Sequence, residues 1–222
     1  MCGISGIFIF NKKNPVKKKD LLQMNYILNH RGPDGNGIWI SKNKNIGLAH
    51  TRLSILELSS AASQPFLDKT KNFVITFNGE IYNFKEIKKK LQKKGYSFKT
   101  KNSDTEVLLS SYMEWGKNCV LKFRGMFAFA IWDEKKKRIF LARDRVGVKP
   151  LYYRFDSEKL IFSSEIKAIL IDRKYKPEID EESLFYYLTF VCTPAPRTMF
   201  KNIKKLEAGT WLTFEEDGKY EK

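Results

Sequence analysis

The sequence predicts one mixed α+β domain. Three observations carry that prediction: short apolar runs of strand length recur along the whole chain, capped amphipathic helices stand between them, and no repeat or long linker divides the 222 residues. Gly3 to Phe10 reads as the first strand. Lys19 to Leu28 follows as a helix, with Leu21, Leu22, Met24, Ile27 and Leu28 apolar. His30-Arg31-Gly32-Pro33-Asp34-Gly35 breaks it, because glycine and proline punctuate and the residue before proline avoids helical angles. Strands are expected at Gly37 to Ser41, Ile46 to Ile55 and Phe73 to Phe77. Asn83 with Glu86 reads as a capping box opening a helix that Gly95 ends, and Ser103-Asp104-Thr105-Glu106 reads as a second box, its helix running to Gly116. Strands return at Met126 to Trp132, Ile139 to Arg143, Leu151 to Arg154 and Leu160 to Ser163. A short helix over Glu181 to Tyr187, a rigid Thr193-Pro194-Ala195-Pro196 loop and a strand over Thr210 to Phe214 complete the pass. Asp217-Gly218 is a hairpin signal with only Lys219 to Lys222 left to return, an ending that reads as a piece of something longer.

Composition narrows the function classes. Apolar residues are 42% and aromatics 14%, which excludes a disordered chain. No apolar run approaches the length of a membrane span, and the first charged residue, Lys12, follows the first apolar run instead of preceding it as in a secretory signal. Three widely spaced cysteines (Cys2, Cys119, Cys192) form no CxxC pair, so neither a metal site nor a disulfide framework is expected, and a reducing cytoplasm suits them. The net charge of +16 comes from 32 lysines against 9 arginines, scattered in small runs. That pattern supports non-specific attraction to polyanions and no specific nucleic-acid partner.

Chemistry concentrates at the N-terminus. Cys2 stands at the start of an apolar strand, behind a methionine that small second residues allow to be removed. Removal leaves a thiol and a free α-amine on one residue; their ordinary pKa values, about 8.5 and about 8, let one residue hold nucleophile and base together. The plain alternative is an incidental thiol on a frayed end. Arg52, in a strand between His50 and Leu53, reads on its own as a surface ion-pair partner. Asn78-Gly79 is the strongest short hairpin signal and reads on its own as a turn. Asp104 is favourable in the first turn of any helix. A cysteine–histidine dyad of Cys119 or Cys192 with His50 is the rival nucleophile, although Cys119, among Val120, Leu121 and Phe123, reads as a buried small hydrophobe. Arg143-Asp144-Arg145 reads as a structural, salt-bridged strand.

Seven blocks in order turn these alternatives. Met1-Cys2-Gly3-Ile4-Ser5-Gly6-Ile7, His30 to Gly35, Ala49-His50-Thr51-Arg52-Leu53-Ser54-Ile55, Phe77-Asn78-Gly79-Glu80-Ile81-Tyr82-Asn83, Ser103 to Glu106, Phe123 to Phe129 and Ala142 to Tyr153 resemble the class II glutamine amidotransferases over nearly the whole chain. The Arg-Gly-Pro-Asp-Gly, Asn-Gly-Glu-Ile-Tyr-Asn and Lys-Pro-Leu-Tyr-Tyr forms resemble glutamine-hydrolysing asparagine synthetases more than glucosamine-phosphate synthases, and Cys2 sets the chain apart from β-lactam synthetases.

The resemblance implies the four-layered α/β/β/α sandwich of N-terminal-nucleophile hydrolases, with mainly antiparallel sheets. It implies a glutaminase domain over residues 2–215, with 216–222 starting a connection toward a C-terminal ATP-dependent synthetase domain. It makes Cys2 the nucleophile and Asn78 with Gly79 the oxyanion hole. Arg52 becomes the clamp for the glutamine α-carboxylate, Leu53, Ser54, Ile55 and Leu56 the pocket lining, and Glu80 and Asp104 the partners of the α-ammonium. No metal or cofactor is expected for glutamine hydrolysis. ATP and magnesium belong to the synthetase domain, whose Ser-Gly-Gly-x-Asp-Ser loop does not occur in this sequence. Glutamine, that domain and a second copy of the full enzyme are the implied partners. A different nitrogen acceptor, or an idle scaffold that binds a synthetase, is the alternative.

Overall fold

The computed structural model describes residues 1–10, 14–54 and 63–222. Twelve strands among these residues form two six-stranded sheets, with every pairing antiparallel. The first runs β10 (Lys204–Lys205), β8 (Tyr152–Phe155), β9 (Lys159–Ser163), β1 (Gly3–Ile9), β3 (Ile46–Arg52), β2 (Gly35–Ile40). The second runs β12 (Tyr220–Glu221), β11 (Trp211–Glu215), β7 (Arg138–Arg143), β6 (Gly125–Asp133), β5 (Phe73–Ile81), β4 (Phe66–Leu67).

Side chains of a strand alternate between faces, and here both faces are apolar. Ile4, Phe8, Ile46 and Leu48 of the first sheet meet Val74, Ala130, Trp132, Ile139 and Leu141 of the second in a core between the sheets. The alternate residues Ile75, Phe77, Phe129 and Phe140 pack outward beneath α2 (Phe84–Lys93) and α3 (Asp104–Trp115). On the opposite side Ile7, Ile9 and Ile161 pack beneath α1 (Lys18–Leu28) and α4 (Ile166–Ile169). The layers are therefore α/β/β/α, as the resemblance implies. Each fully buried Phe, Leu or Ile contributes roughly 1.5–3 kcal/mol. Gly6 marks how closely the first layer packs: a Cβ there would lie 2.5 Å from the Phe162 ring.

Four local expectations are corrected. Asn83 and Glu86 make no capping box: the Asn83 amide joins Lys122 O and Arg124 N, and Glu86 pairs with Arg124. Ser103 likewise makes no side-chain cap, because Glu106 turns to the Lys99 and Thr100 N–H groups. Tertiary donors outbid the local ones in both cases. Asn78-Gly79 is no turn but lies inside β5, opposite Ala128 and Phe127 of β6. The fourth correction is the Arg143-Asp144-Arg145 cluster, which is structural without ion pairs among the described residues. Asp144, fully buried, accepts from the N–H groups of Phe127, Val146, Val148 and Lys149, while Arg143 donates to Gly147 O, Lys149 O and Leu206 O.

Several elements run beyond or outside the sequence expectation, the short strands β4 and β10 among them. Helix α5 (Glu181–Phe190) is capped by Asp180 and continues past Tyr187, and α4 was not foreseen. Residues 216–222 turn at Gly218 and pair as β12 against β11, with Tyr220 stacked on Phe214 at 5.3 Å.

Replacing Asp144 by alanine leaves four N–H groups without their acceptor in a buried site. The expected outcome is a loss on the order of 3 kcal/mol in urea denaturation, with Asp144→Asn losing less because one acceptor oxygen remains.

Candidate active site

Pairing of Gly3 with Thr51 sets the first residues of β1 beside the end of β3. Cys2 consequently faces the segment that follows Arg52. Its Sγ lies 3.6 Å from Leu53 O and accepts from Leu53 N at 3.4 Å. Its carbonyl accepts from Arg31 Nε at 3.0 Å, and Arg31 Nη1 is held by Glu165 at 2.9 Å. Partial burial would raise Glu165, but hydrogen bonds from Arg31, His30 and Lys167 outweigh it and bring it to about 2. Burial pushes the Cys2 thiol up, against the Leu53 N–H and the charges of the Met1 amine, Arg52 and Arg31. With Met1 in place the thiol has no adjacent base.

Across the cleft stands the other sheet. Asn78 is 2% exposed, and its amide nitrogen has no hydrogen-bond partner among the described residues. A buried donor without a partner costs free energy, so its persistence in a cleft marks a place for an acceptor. At Gly79 the backbones of β5 and β6 approach so closely that a Cβ would sit 2.2 Å from Met126 O and 2.7 Å from Phe127 Cα, at a φ of 156°. Only glycine fits there.

Charge arrives from both ends. Asp104, at the first turn of α3, is buried and accepts from Ile81 N at 3.0 Å. Burial raises it to about 6 against the Ile81, Asp104 and Thr105 N–H groups, and Glu80 adds to the rise. Arg52 ends β3. The turn after it is fixed by Asp34, whose N–H donates to Arg52 O at 3.0 Å and whose carboxylate accepts from Ser54 N at 2.8 Å.

One cleft of about 100 Å³ is lined by Cys2, Arg52, Leu53, Ser54, Asn78, Gly79, Glu80 and Asp104 together. Ile55 and Leu56 lie outside the described residues. The same cleft holds residues that motif reading left without a role. His50, buried, donates from Nε2 to Phe77 O at 3.2 Å, joining the two sheets; burial brings it to about 4, so it is neutral. Gln64 bonds Phe77 N at 2.6 Å, and Lys149 reaches in from the Asp144 loop. His50 and Lys149 fall inside the Ala49 to Ile55 and Ala142 to Tyr153 motif blocks, the sequence signal for them; Gln64 lies in no motif block. The rival dyad fails on geometry. Cys119 is buried under α3, Cys192 is exposed past α5, and neither lines the cleft.

The arrangement brings a thiol, a buried amide donor without a partner among the described residues and side chains of both charge signs into one cleft. No helix among the described residues is long and apolar enough to cross a membrane. Comparison with known proteins agrees with the geometry. The glutamine amidotransferase domain family matches residues 1–222. A putative glutamine-hydrolysing asparagine synthetase 2 of Methanocaldococcus jannaschii is 43% identical over 98% of this chain and 44% of its own length. Asparagine synthetase 1 of Bacillus subtilis is 38% identical over 98% of this chain and 34% of its own. The chain thus spans less than half the length of these relatives. Among solved structures, the glutamine phosphoribosylpyrophosphate amidotransferase of B. subtilis superposes with a TM-score of 0.70 over 99% of this chain and 49% of that one, at 21% identity, which shows the fold. With that fold, those relatives and a family match over residues 1–222, the chain belongs to the glutamine amidotransferase domain family.

Proposed function

We propose that the chain hydrolyses glutamine to glutamate and ammonia, with Cys2 as the nucleophile. The observation that carries this reading is the unpartnered Asn78 amide nitrogen, buried in the cleft that also holds the Cys2 thiol. Removal of Met1 makes the Cys2 nitrogen a free amine. Through a water it takes the thiol proton, and the thiolate attacks the side-chain amide carbon of glutamine. Asn78 Nδ2 and the Gly79 N–H oppose the negative charge that develops on the amide oxygen. The tetrahedral intermediate collapses, the nitrogen leaves as ammonia with the proton that the amine returns, and water hydrolyses the γ-glutamyl thioester to glutamate and free thiol. Arg52 holds the α-carboxylate, and Asp104 with Glu80 holds the α-ammonium. The Leu53 and Ser54 backbone, with Ile55 and Leu56, borders the substrate. This half-reaction uses no metal or cofactor.

The ammonia serves an ATP- and magnesium-dependent synthetase domain that converts aspartate to asparagine. Relatives two to three times as long support that reading. So does helix α5, on which Phe185, Leu188 and Phe190 are each more than 60% exposed, an apolar surface that suits a protein partner. Three free cysteines fit a reducing cytoplasm.

Intact mass before and after treatment with a diazoketone glutamine analogue tests the site directly: loss of one methionine, then a single adduct on Cys2. Cys2→Ala is expected to abolish both adduct and glutaminase activity; activity that survives it would sink the mechanism and leave the scaffold reading ahead. Asn78→Ala is expected to lower kcat about 10²–10³-fold, the loss typical of an oxyanion donor.

Asp104 adds a pH prediction. Its carboxylate must be ionised to hold an ammonium, and with its value near 6 the KM for glutamine rises as pH falls below 6. Stability follows the opposite sign. The folded value lies above the unfolded one, so the charged form costs stability above pH 6 and the cost fades by pH 4. His50 does the reverse: its value near 4 lies below the ordinary 6.5, so stability is lost as pH falls from 6.5 to 4, by up to roughly 3 kcal/mol. In the parent chain the two trends offset. Asp104→Asn keeps an acceptor for Ile81 N and removes the compensation. It is expected to raise stability at pH 7 by about 1–3 kcal/mol and to give a steeper loss between pH 6.5 and 4, read by urea denaturation.

A further inference from the structure

Lys149 is a buried cation to which the reaction above gives no part. The residue is 6% exposed and lines the cleft, yet among the described residues its Nζ has one hydrogen-bond partner, the Met1 thioether, at 3.3 Å. A thioether is a weak acceptor. The backbone beneath it is clamped: Asp144 accepts from Lys149 N at 3.0 Å, and Arg143 Nε donates to Lys149 O at 2.7 Å. The loop therefore aims an ammonium at the residue that processing removes.

Covalent geometry bounds the distance. Five bonds separate the Met1 sulfur from the Cys2 nitrogen, so these atoms lie at most about 6 Å apart and Nζ within about 10 Å of the future amine. We propose that Lys149 is a positioning residue that keeps the terminal amine of Cys2 in its proton-accepting form once Met1 is gone, an inference that rests on the glutaminase reading. Cleavage of Met1 removes the one partner of Nζ and creates the amine in the same step. Two ammonium groups in a half-buried cleft repel, and the one that yields its proton is the α-amine, whose ordinary value near 8 lies below that of lysine near 10.4. At such distances the repulsion is worth about half to one pH unit.

Other charges face the same amine. Arg31 approaches from the turn after α1 with its charge met by Glu165, which also holds His30. Arg52 comes from β3 and, in the proposed reaction, binds the substrate carboxylate. Glu80 and Asp104 carry the opposite sign and are taken up by the substrate ammonium, and His50 is neutral. Among the described residues Lys149 has no such counterpart.

The test is the pH profile of glutaminase activity of the processed chain beside Lys149→Met and Lys149→Arg. The acid limb of kcat/KM is expected to move up by about half to one pH unit in Lys149→Met and to return in Lys149→Arg. A fall in rate at every pH with the limb in place would make Lys149 a structural residue and overturn the proposal. Nitrogen-15 NMR of cysteine-labelled parent chain needs neither a variant that folds nor turnover of glutamine. A Cys2 amine that titrates below the ordinary α-amine value and moves up in ~1 M salt supports the proposal; titration at or above the ordinary value overturns it. A chain that hydrolyses no glutamine while its amine titrates low would fail the glutaminase reading and leave this inference standing.

Discussion

The hydrogen bond between His50 and the Phe77 carbonyl is the joint on which the site depends. It crosses from β3 to β5, that is from one sheet to the other, at 3.2 Å. One strand away from His50 is Ile4, two residues from Cys2; one residue along from Phe77 is Asn78. A shift between the sheets would separate the thiol from the donors opposite it. Neutrality of His50 suits the joint, because a charged imidazole in that interior would require a counterion that the described residues around it do not supply.

Around that joint the fold places polar groups where they cost most and uses them. Among the described residues Asn78 leaves a donor open, Asp104 carries a carboxylate that burial disfavours, and Lys149 has only a thioether to meet its charge. Each is tolerated because two apolar cores and a third beneath α1 supply the surrounding stability. Functional sites are the places where such unsatisfied groups concentrate. The Asp144 loop shows the supporting side of the same economy: one buried carboxylate organises four backbone N–H groups and so holds both Phe127, which faces Gly79, and Lys149.

The unprocessed N-terminus connects structure to chemistry. Met1 lines the same cleft as Cys2, and in the proposed reaction its removal frees the Cys2 nitrogen to act as the base. On that reading processing changes the shape and the charge of the site together, next to a Cys2 carbonyl that accepts from Arg31 Nε at 3.0 Å.

Motif order and residue type were enough, from the sequence alone, to place Cys2, Arg52, Asn78, Gly79, Glu80 and Asp104 in one family pattern, and alternating apolar runs were enough for most strands. Those signals are local or carried by short blocks. What only the tertiary structure decided involves partners far apart in the chain. Asn78-Gly79 became strand instead of turn because β6 pairs along it, and both capping boxes gave way to donors from other loops. Gln64, His50 and Lys149 entered the cleft through contacts across 13, 27 and 148 positions. Hydrogen-bond competition of this kind is settled by packing, since a buried group takes whichever partner the assembled layers bring within reach, and no window of neighbouring residues contains that information.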